Sequence, residues 1–315
     1  MLARVANNLF WMGRYIERAE HTARYLSVNY FSSLDAPHDL SQSRQFVLRS
    51  MYYFVGDPVQ DPNSQLDEEE TLFHLGLDPN HFYSILSSIK YARENANGAR
   101  DLISTELYEA LNRFYHFVLN YSKEDFVKKG LFDFTLQVTE MTAVLRAKIR
   151  GTLLHDEVYA IIMLGVNIER ATQIIRMVNA KYNDARVSEE QYGDQMTQSF
   201  EWITLLKCAE SYDMMRRLYK KTPTQNSTLE FLILNPDCPR SVMNSLNQVH
   251  RHMQILNREE QCAKDSAKFL IGKVRAEYQF KLIEEIEGGV QNFIEDILNK
   301  LVKISDHLEK EYFYH

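Results

Sequence analysis

GRYIERAEHTAR at residues 13–24 and GVNIERATQIIR at residues 165–176 are one pattern, G-x-x-I-E-R-A-x-x-x-x-R, written twice. The copies stand 152 positions apart (165 − 13), and the apolar residues around them keep that offset: Leu9 meets Ile161, Met12 meets Leu164, Leu26 meets Val178 and Tyr30 meets Tyr182. A motif and its apolar stripe that shift together mark an internal repeat. In the first copy Val5, Leu9, Met12, Ile16, Ala19, Ala23, Leu26 and Tyr30 follow at alternating steps of four and three, the stripe of one long helix.

A second block repeats nearby. Thr71-Leu72-x-x-Leu75-x-Leu77-Asp78-Pro79, then Ser84 and Ser88, matches Thr228-Leu229-x-x-Leu232-x-Leu234-Asn235-Pro236, then Ser241 and Ser245, 157 positions apart (228 − 71). Asp and Asn are good N-caps and proline suits the first helical position, so the block predicts helix starts at Asp78-Pro79 and Asn235-Pro236. Pro239 shifts the second start toward Asp237 or Cys238.

The seven prolines, Pro37, Pro58, Pro62, Pro79, Pro223, Pro236 and Pro239, leave 1–36, 80–222 and 240–315 free of proline. Long helices are allowed there, because an interior proline would remove a donor and clash with the preceding turn. Helices are predicted near 2–33, 41–55, 80–120, 123–150, 155–184, 195–221, 239–257, 262–285 and 290–312, with Gly56–Glu70 as a polar surface loop. No segment sustains period-two alternation, so no sheet is expected. The fold expected is all-α, a multi-helix bundle built by internal tandem duplication. It is a single domain over 1–315 with related halves at 3–154 and 155–315, the two IERA helices packed near a pseudo-twofold axis.

Apolar residues make up 45% and charged residues 25% of the chain, an ordinary globular mixture. The longest apolar run, Ala160–Val166, is far short of the roughly 20 residues of a membrane span. The N-terminus lacks a signal-peptide pattern, so a cytoplasmic protein is expected. A net charge of −7 argues against general nucleic-acid affinity. Cys208, Cys238 and Cys262, odd in number and widely spaced, read as reduced thiols without a zinc-type pair.

Gly13, Glu17, Glu20 and Arg24 fall on one helix face, and Gly165, Glu169 and Arg176 mark the same face in the second copy. Glycine inside a helix is about 1 kcal/mol worse than alanine, so its presence in both copies predicts a close approach by another backbone or a ligand. The favoured reading is helix contact over glycine with Glu–Arg ion pairs across the repeat interface; the sharper one is a charged cleft holding a ligand. Arg93, Arg100 and Ser104 share a predicted stripe, and two stacked arginines could clamp a phosphate or carboxylate. That polar set is not kept at the 157 offset, which makes any such site lopsided toward the first half. There is no Glu-x-x-His pair, and Gln173 stands where His21 would need a counterpart, so no metal set is assigned. No phosphate loop or nucleophile elbow is present, and no catalytic residue or cofactor is assigned.

LARVANNLFWMGRYIERAEHTARYL (2–26), ARENANGARDLISTELYEALN (92–112) and LNPDCPRSV (234–242) closely resemble the bacterial alpha-E family, and the resemblance runs over essentially the whole chain. Proteins of that family are encoded beside, or fused to, an unusual ATP-grasp protein and a transglutaminase-like cysteine peptidase. The resemblance therefore implies a part in making, modifying or cleaving an amide-linked peptide. By motif it picks out Glu17, Arg18, Arg93, Glu94, Asn95, Arg100, Pro239 and Arg240, with Tyr108 where the family usually has tryptophan. The expected ligand or partner cleft comprises Glu17, Arg18, Arg24, Arg93, Glu94, Asn95, Arg100, Glu169, Arg170 and Arg240. The expected role is that of a non-catalytic helical partner binding the ATP-grasp protein, its peptide product or the peptidase. One alternative is an enzyme whose cleft of Glu17, Arg93, Glu94 and Arg100 acts on an amide or amino-acid substrate. Another is an oligomeric scaffold with a large apolar interface.

Overall fold

The computed structural model describes residues 1–32, 44–61, 63–192, 195–256, 263–286 and 289–313. Among them every regular element is helical. The chain runs α1 (Ala3–Ser32), α2 (Arg44–Val55), α3 (Glu68–Gly76), α4 (Ile85–Gly98), α5 (Thr105–Leu119), α6 (Lys123–Thr152), α7 (Glu157–Tyr192), α8 (Gln195–Cys208), α9 (Tyr212–Tyr219), α10 (Gln225–Leu229), α11 (Val242–Leu256), α12 (Ala267–Gln279) and α13 (Val290–Leu308).

The two IERA helices, α1 and α7, cross at the centre, and each carries its own set of neighbours. α4 and α6 flank α1, with α5 bridging them; α11 and α13 flank α7, with α12 bridging them. The stripe that predicts α1 is core: Leu9, Met12, Ile16, Ala19, Ala23 and Leu26 are all buried. α7 is long and apolar enough to cross a membrane by composition alone, with mean hydropathy 1.3 over its most apolar window, but 78% of that window is buried inside the fold. Its apolarity is that of a core helix packed on α1, α8 and α11.

Several predicted elements need correction, each for a local reason. The helix expected over 80–120 is two. α4 ends at Gly98, a 3₁₀ turn spans Arg100–Leu102, and Ser104 starts α5 by accepting from the Leu107 amide at 3.1 Å. Arg93, Arg100 and Ser104 therefore share no stripe. The helix expected over 195–221 stops at Cys208 because Glu210 turns left-handed (φ 50) and the Ser211 amide reaches back to the Leu206 carbonyl at 2.8 Å, closing α8. The loop expected over Gly56–Glu70 ends early, since Asp67 accepts from the Glu70 amide at 2.8 Å and three glutamates follow at the positive end of α3. α10, and the π-helical turn Glu230–Leu234 after it, were not foreseen. Cys208 and Cys238 are buried free thiols; Cys262 with the predicted start of its helix, Pro37 and Pro62 lie outside the described residues.

The repeated serine block preserves a helix start, though not at the residues predicted. Ser84 caps α4 through the Ser87 amide at 3.0 Å, and Ser241 does the same for α11 through Asn244 at 2.9 Å. Both serine hydroxyls also donate backwards, to the carbonyls of Asp78 and Asn235. Asp78 and Asn235 fold the preceding turn, each accepting at 2.8 Å from the amide two residues on. Every one of these contacts recurs at the same offset of 157 (241 − 84).

Candidate functional site

At the α1–α7 crossing the glycines do what their repetition predicts. A Cβ on Gly13 would stand 2.5 Å from the carbonyl oxygen of Ile162, and one on Gly165 would strike the carbonyl oxygen of Phe10. Phe10 and Ile162 are themselves 152 apart, so the two contacts are the same contact taken in both directions.

That approach brings the following turn of each helix within reach of the other. Arg170 donates to Glu17 at 2.6 Å, and Arg18 donates to Glu169 at 2.7 Å, again a reciprocal pair. Both glutamates are fully buried. Glu169 also accepts from Arg14 at 2.8 Å and from Gln173 at 2.8 Å. Beyond this symmetric centre the arrangement turns one-sided. Glu20, whose counterpart is Thr172, is ringed by Arg24, Arg146 and Arg240; Arg240 stands 3.0 Å from it and 3.5 Å from Glu17. Glu210, held in its left-handed conformation, offers one oxygen to Arg24 at 3.0 Å and the other to Arg240 at 2.6 Å.

Burial on its own would raise the Glu17 and Glu169 carboxyls, but the guanidiniums beside them outweigh it. Arg170, with help from Arg240, holds Glu17 well below the usual carboxylate range, and Arg18 and Arg14 do the same for Glu169. Groups held ionised by neighbouring arginines are poor proton carriers at neutral pH. His21 is buried and pushed down to about 3, chiefly by desolvation, and so stays neutral.

Of the ten residues expected to form one cleft, Glu17, Arg18, Arg24, Glu169, Arg170 and Arg240 come together. The other four do not join them. Arg93 donates to Asn112 at 2.6 Å and lies over the Tyr115 ring, Asn95 donates to the Tyr91 carbonyl, Arg100 covers the Tyr108 ring, and Glu94 is exposed. The cleft imagined for an enzyme of Glu17, Arg93, Glu94 and Arg100 is not formed: Arg93 and Arg100 turn to α5 and Glu94 to solvent, while Glu17 stays at the α1–α7 crossing. Arg14 and Arg146 were missed. Arg14 adjoins Gly13, a cue the sequence did offer; Arg146 arrives from α6 with no local signal.

The Glu-Arg step occurs twice in the sequence, at 17–18 and 169–170, and both copies sit in this network. A family described as "a predicted alpha-helical domain with a conserved ER motif" matches residues 1–313. The chain belongs to that family, Alpha-E. It is also similar to uncharacterized proteins of Mycobacterium tuberculosis and Mycobacterium bovis, 23% identical over 269 residues that cover 80% of this chain and 30% of each relative. The chain thus spans less than a third of the curated relatives it matches. No solved structure matches it at a significant level.

A separate cluster outside the Alpha-E network groups metal-ligating types. His74, Asp78 and His81 present ligand atoms within 4.8 Å of one another, all half-buried. The two imidazoles stack at 4.6 Å, and Asp78 stands 3.8 Å from His74 and 3.9 Å from His81, contacts that the residues satisfy among themselves. The cluster's spacing, H-x-x-x-D-x-x-H, straddles Pro79 and so fits no single-helix ligand pattern.

The neutral state of His21 has a measurable consequence. Unfolded, it titrates near 6.5; folded, near 3. Between those values only the unfolded chain takes up the proton, so the stability this histidine contributes is present above pH 6.5 and is lost as pH falls toward 3. Gln173 shows what the position tolerates, so His21→Gln is expected to match the parent at pH 8 and to exceed it at pH 5 in urea unfolding. Parallel losses of stability in the two proteins would show that His21 is charged in the fold.

Proposed function

We propose that this Alpha-E chain is a non-catalytic helical partner, acting in the cytoplasm by binding the ATP-grasp protein of a peptide-making or peptide-modifying system. Its two halves, 3–154 and 155–315, are on this reading tandem copies, which accounts for the reciprocal contacts at the α1–α7 crossing. The observation that carries the binding role is the outer face of α6. Its inner face is core, with Phe134, Val138, Leu145 and Ile149 at 0–1% exposure, while Phe132, Leu136 and Val144 advance along the outer face at 57%, 43% and 46% exposure. Large apolar side chains facing water on a helix whose other face is core suit a partner, and the exposed Glu140 between Leu136 and Val144 adds one charge to that face. The paired carboxylates at the centre suit an architectural motif rather than acid–base chemistry. That relatives carry the same kind of domain within chains about three times as long fits a domain that works attached to other polypeptide.

Leu136→Glu with Val144→Glu alters only exposed positions and is expected to fold as the parent does. With the ATP-grasp protein and the transglutaminase-like peptidase co-expressed, the parent is expected to retain the ATP-grasp protein through purification and the variant to lose it. Equal recovery by both, recovery by neither, or turnover of a peptide or nucleotide by the purified chain would overturn the reading. Sedimentation of the parent alone as a dimer that the variant dissociates would select the scaffold alternative.

A further inference from the structure

A cavity of about 800 Å³ opens between the C-terminal end of α6, the first half of α7 and α11. This volume lies in the range of small-molecule sites. Its charged lining is entirely basic, Arg146, Arg150, Arg170 and Arg251; the imidazoles of His155 and His252 stand beside them, and no carboxylate is among the described residues that line it. Arg146 and Arg170 reach it from the central network, where Glu20 and Glu17 neutralise them in part. Arg150 and Arg251, both exposed at the rim, have no hydrogen-bond or ion-pair partner for their guanidiniums among the described residues. Two further polar atoms are left over inside. Asn167, fully buried, uses its Nδ2 on the Met163 carbonyl and leaves Oδ1 unpartnered, and His252, 5% exposed, leaves Nδ1 unpartnered. Buried polar atoms without partners are rare and call for an occupant.

The equivalent place in the first half is closed, and the residues that close it are known from the two offsets. Tyr15, Tyr91 and Phe82 fill it with rings whose centroids lie 5.4–6.4 Å apart, and Arg18 packs over Tyr15 and Phe82. In the second half these positions are Asn167, Gln248 and Pro239, all lining the cavity. The exposed Glu94 becomes Arg251 and Asn95 becomes His252. The three rings of the first half are thus replaced and the site turned basic in the second half, changes that a need for packing alone would not select.

We propose that this cavity binds a small molecule carrying at least two anionic groups, gripped by Arg150 and Arg251 at the rim and by Arg146 and Arg170 beneath. Phosphoryl and carboxylate groups share this chemistry, since guanidinium forks match both. The site is distinct from the α6 outer face, so it stands or falls independently of the partner reading.

The test uses the whole chain and two probes, ADP for phosphoryl groups and a tri-glutamate peptide for carboxylates, each followed by titration calorimetry at low salt with thermal unfolding alongside. Saturable binding of one probe with a rise in melting temperature is expected, and whichever binds names the source of the anion. Arg150→Glu with Arg251→Glu lies on the exposed rim and should fold normally while weakening binding roughly tenfold or more. Gln248→Tyr, which restores the ring found at Tyr91, should block binding with the fold intact. Absence of binding by both probes at millimolar concentration, or equal binding by the rim variant and the parent, overturns the proposal.

Discussion

Glu169→Ala is expected to destabilise the fold by about 3–5 kcal/mol, the range for removing one partner of a buried ion cluster. The reason lies less in the bonds lost than in the charges left. Arg14 and Arg18 would remain half-buried without an acid, and Gln173 would lose its acceptor. Surface ion pairs would contribute roughly 0–1 kcal/mol and mostly escape detection, so the size of the loss separates the two cases. Urea unfolding at pH 7 measures it. The depressed Glu17 and Glu169 carboxyls give the pH dependence a fixed sign: their contribution is complete above the ordinary carboxylate range near 4.5 and is lost as pH falls below it toward the folded values.

Gly165→Ala should be the other large effect, and its sign runs against helix propensity. Alanine in a helix interior is better than glycine by about 1 kcal/mol. Here the added carbon strikes the Phe10 carbonyl, which belongs to a backbone that cannot swing aside, and Gly13→Ala meets Ile162 in the same way. Overpacking of this kind is expected to destabilise by about 1–3 kcal/mol or more. Gly272→Ala in α12 is the control, because nothing lies within 4 Å of its added carbon; it should stabilise by roughly 0.5–1 kcal/mol. Thermal unfolding of the three variants should order them accordingly, and a stabilised Gly165→Ala would mean that the helices do not touch there.

The crossing was legible in the sequence because its determinants are local and written twice. A glycine, a glutamate and an arginine at fixed spacing on one face say which face meets which, and the offset says that the contacts are mutual. Ser84 and Ser241 were visible too, but credit for the helix start went to Asp78 and Asn235, since a proline following an Asx residue imitates an N-cap when it only builds the turn before it. The break between α4 and α5 was hidden because Gly98–Ser104 holds no proline and its one glycine, Gly98, can sit within a helix; a capping serine decided it. Arg146 could not have been found at all, as its role depends on where α6 lies against α1. Glu210 is similar, a glutamate in a conformation that glycine usually takes, held between Arg24 of α1 and Arg240 of the turn before α11.

The most direct measurement of the central claim, that α1 and α7 meet through reciprocal Glu–Arg pairs, is a pair of double-mutant cycles. One crosses Glu17→Gln with Arg170→Ala, the other Glu169→Gln with Arg18→Ala, each read by urea unfolding. Coupling of roughly 1–3 kcal/mol and of the same sign in both cycles is predicted. Additivity within about 0.5 kcal/mol in either one would contradict the crossed pairing, and with it the architecture on which everything else here depends.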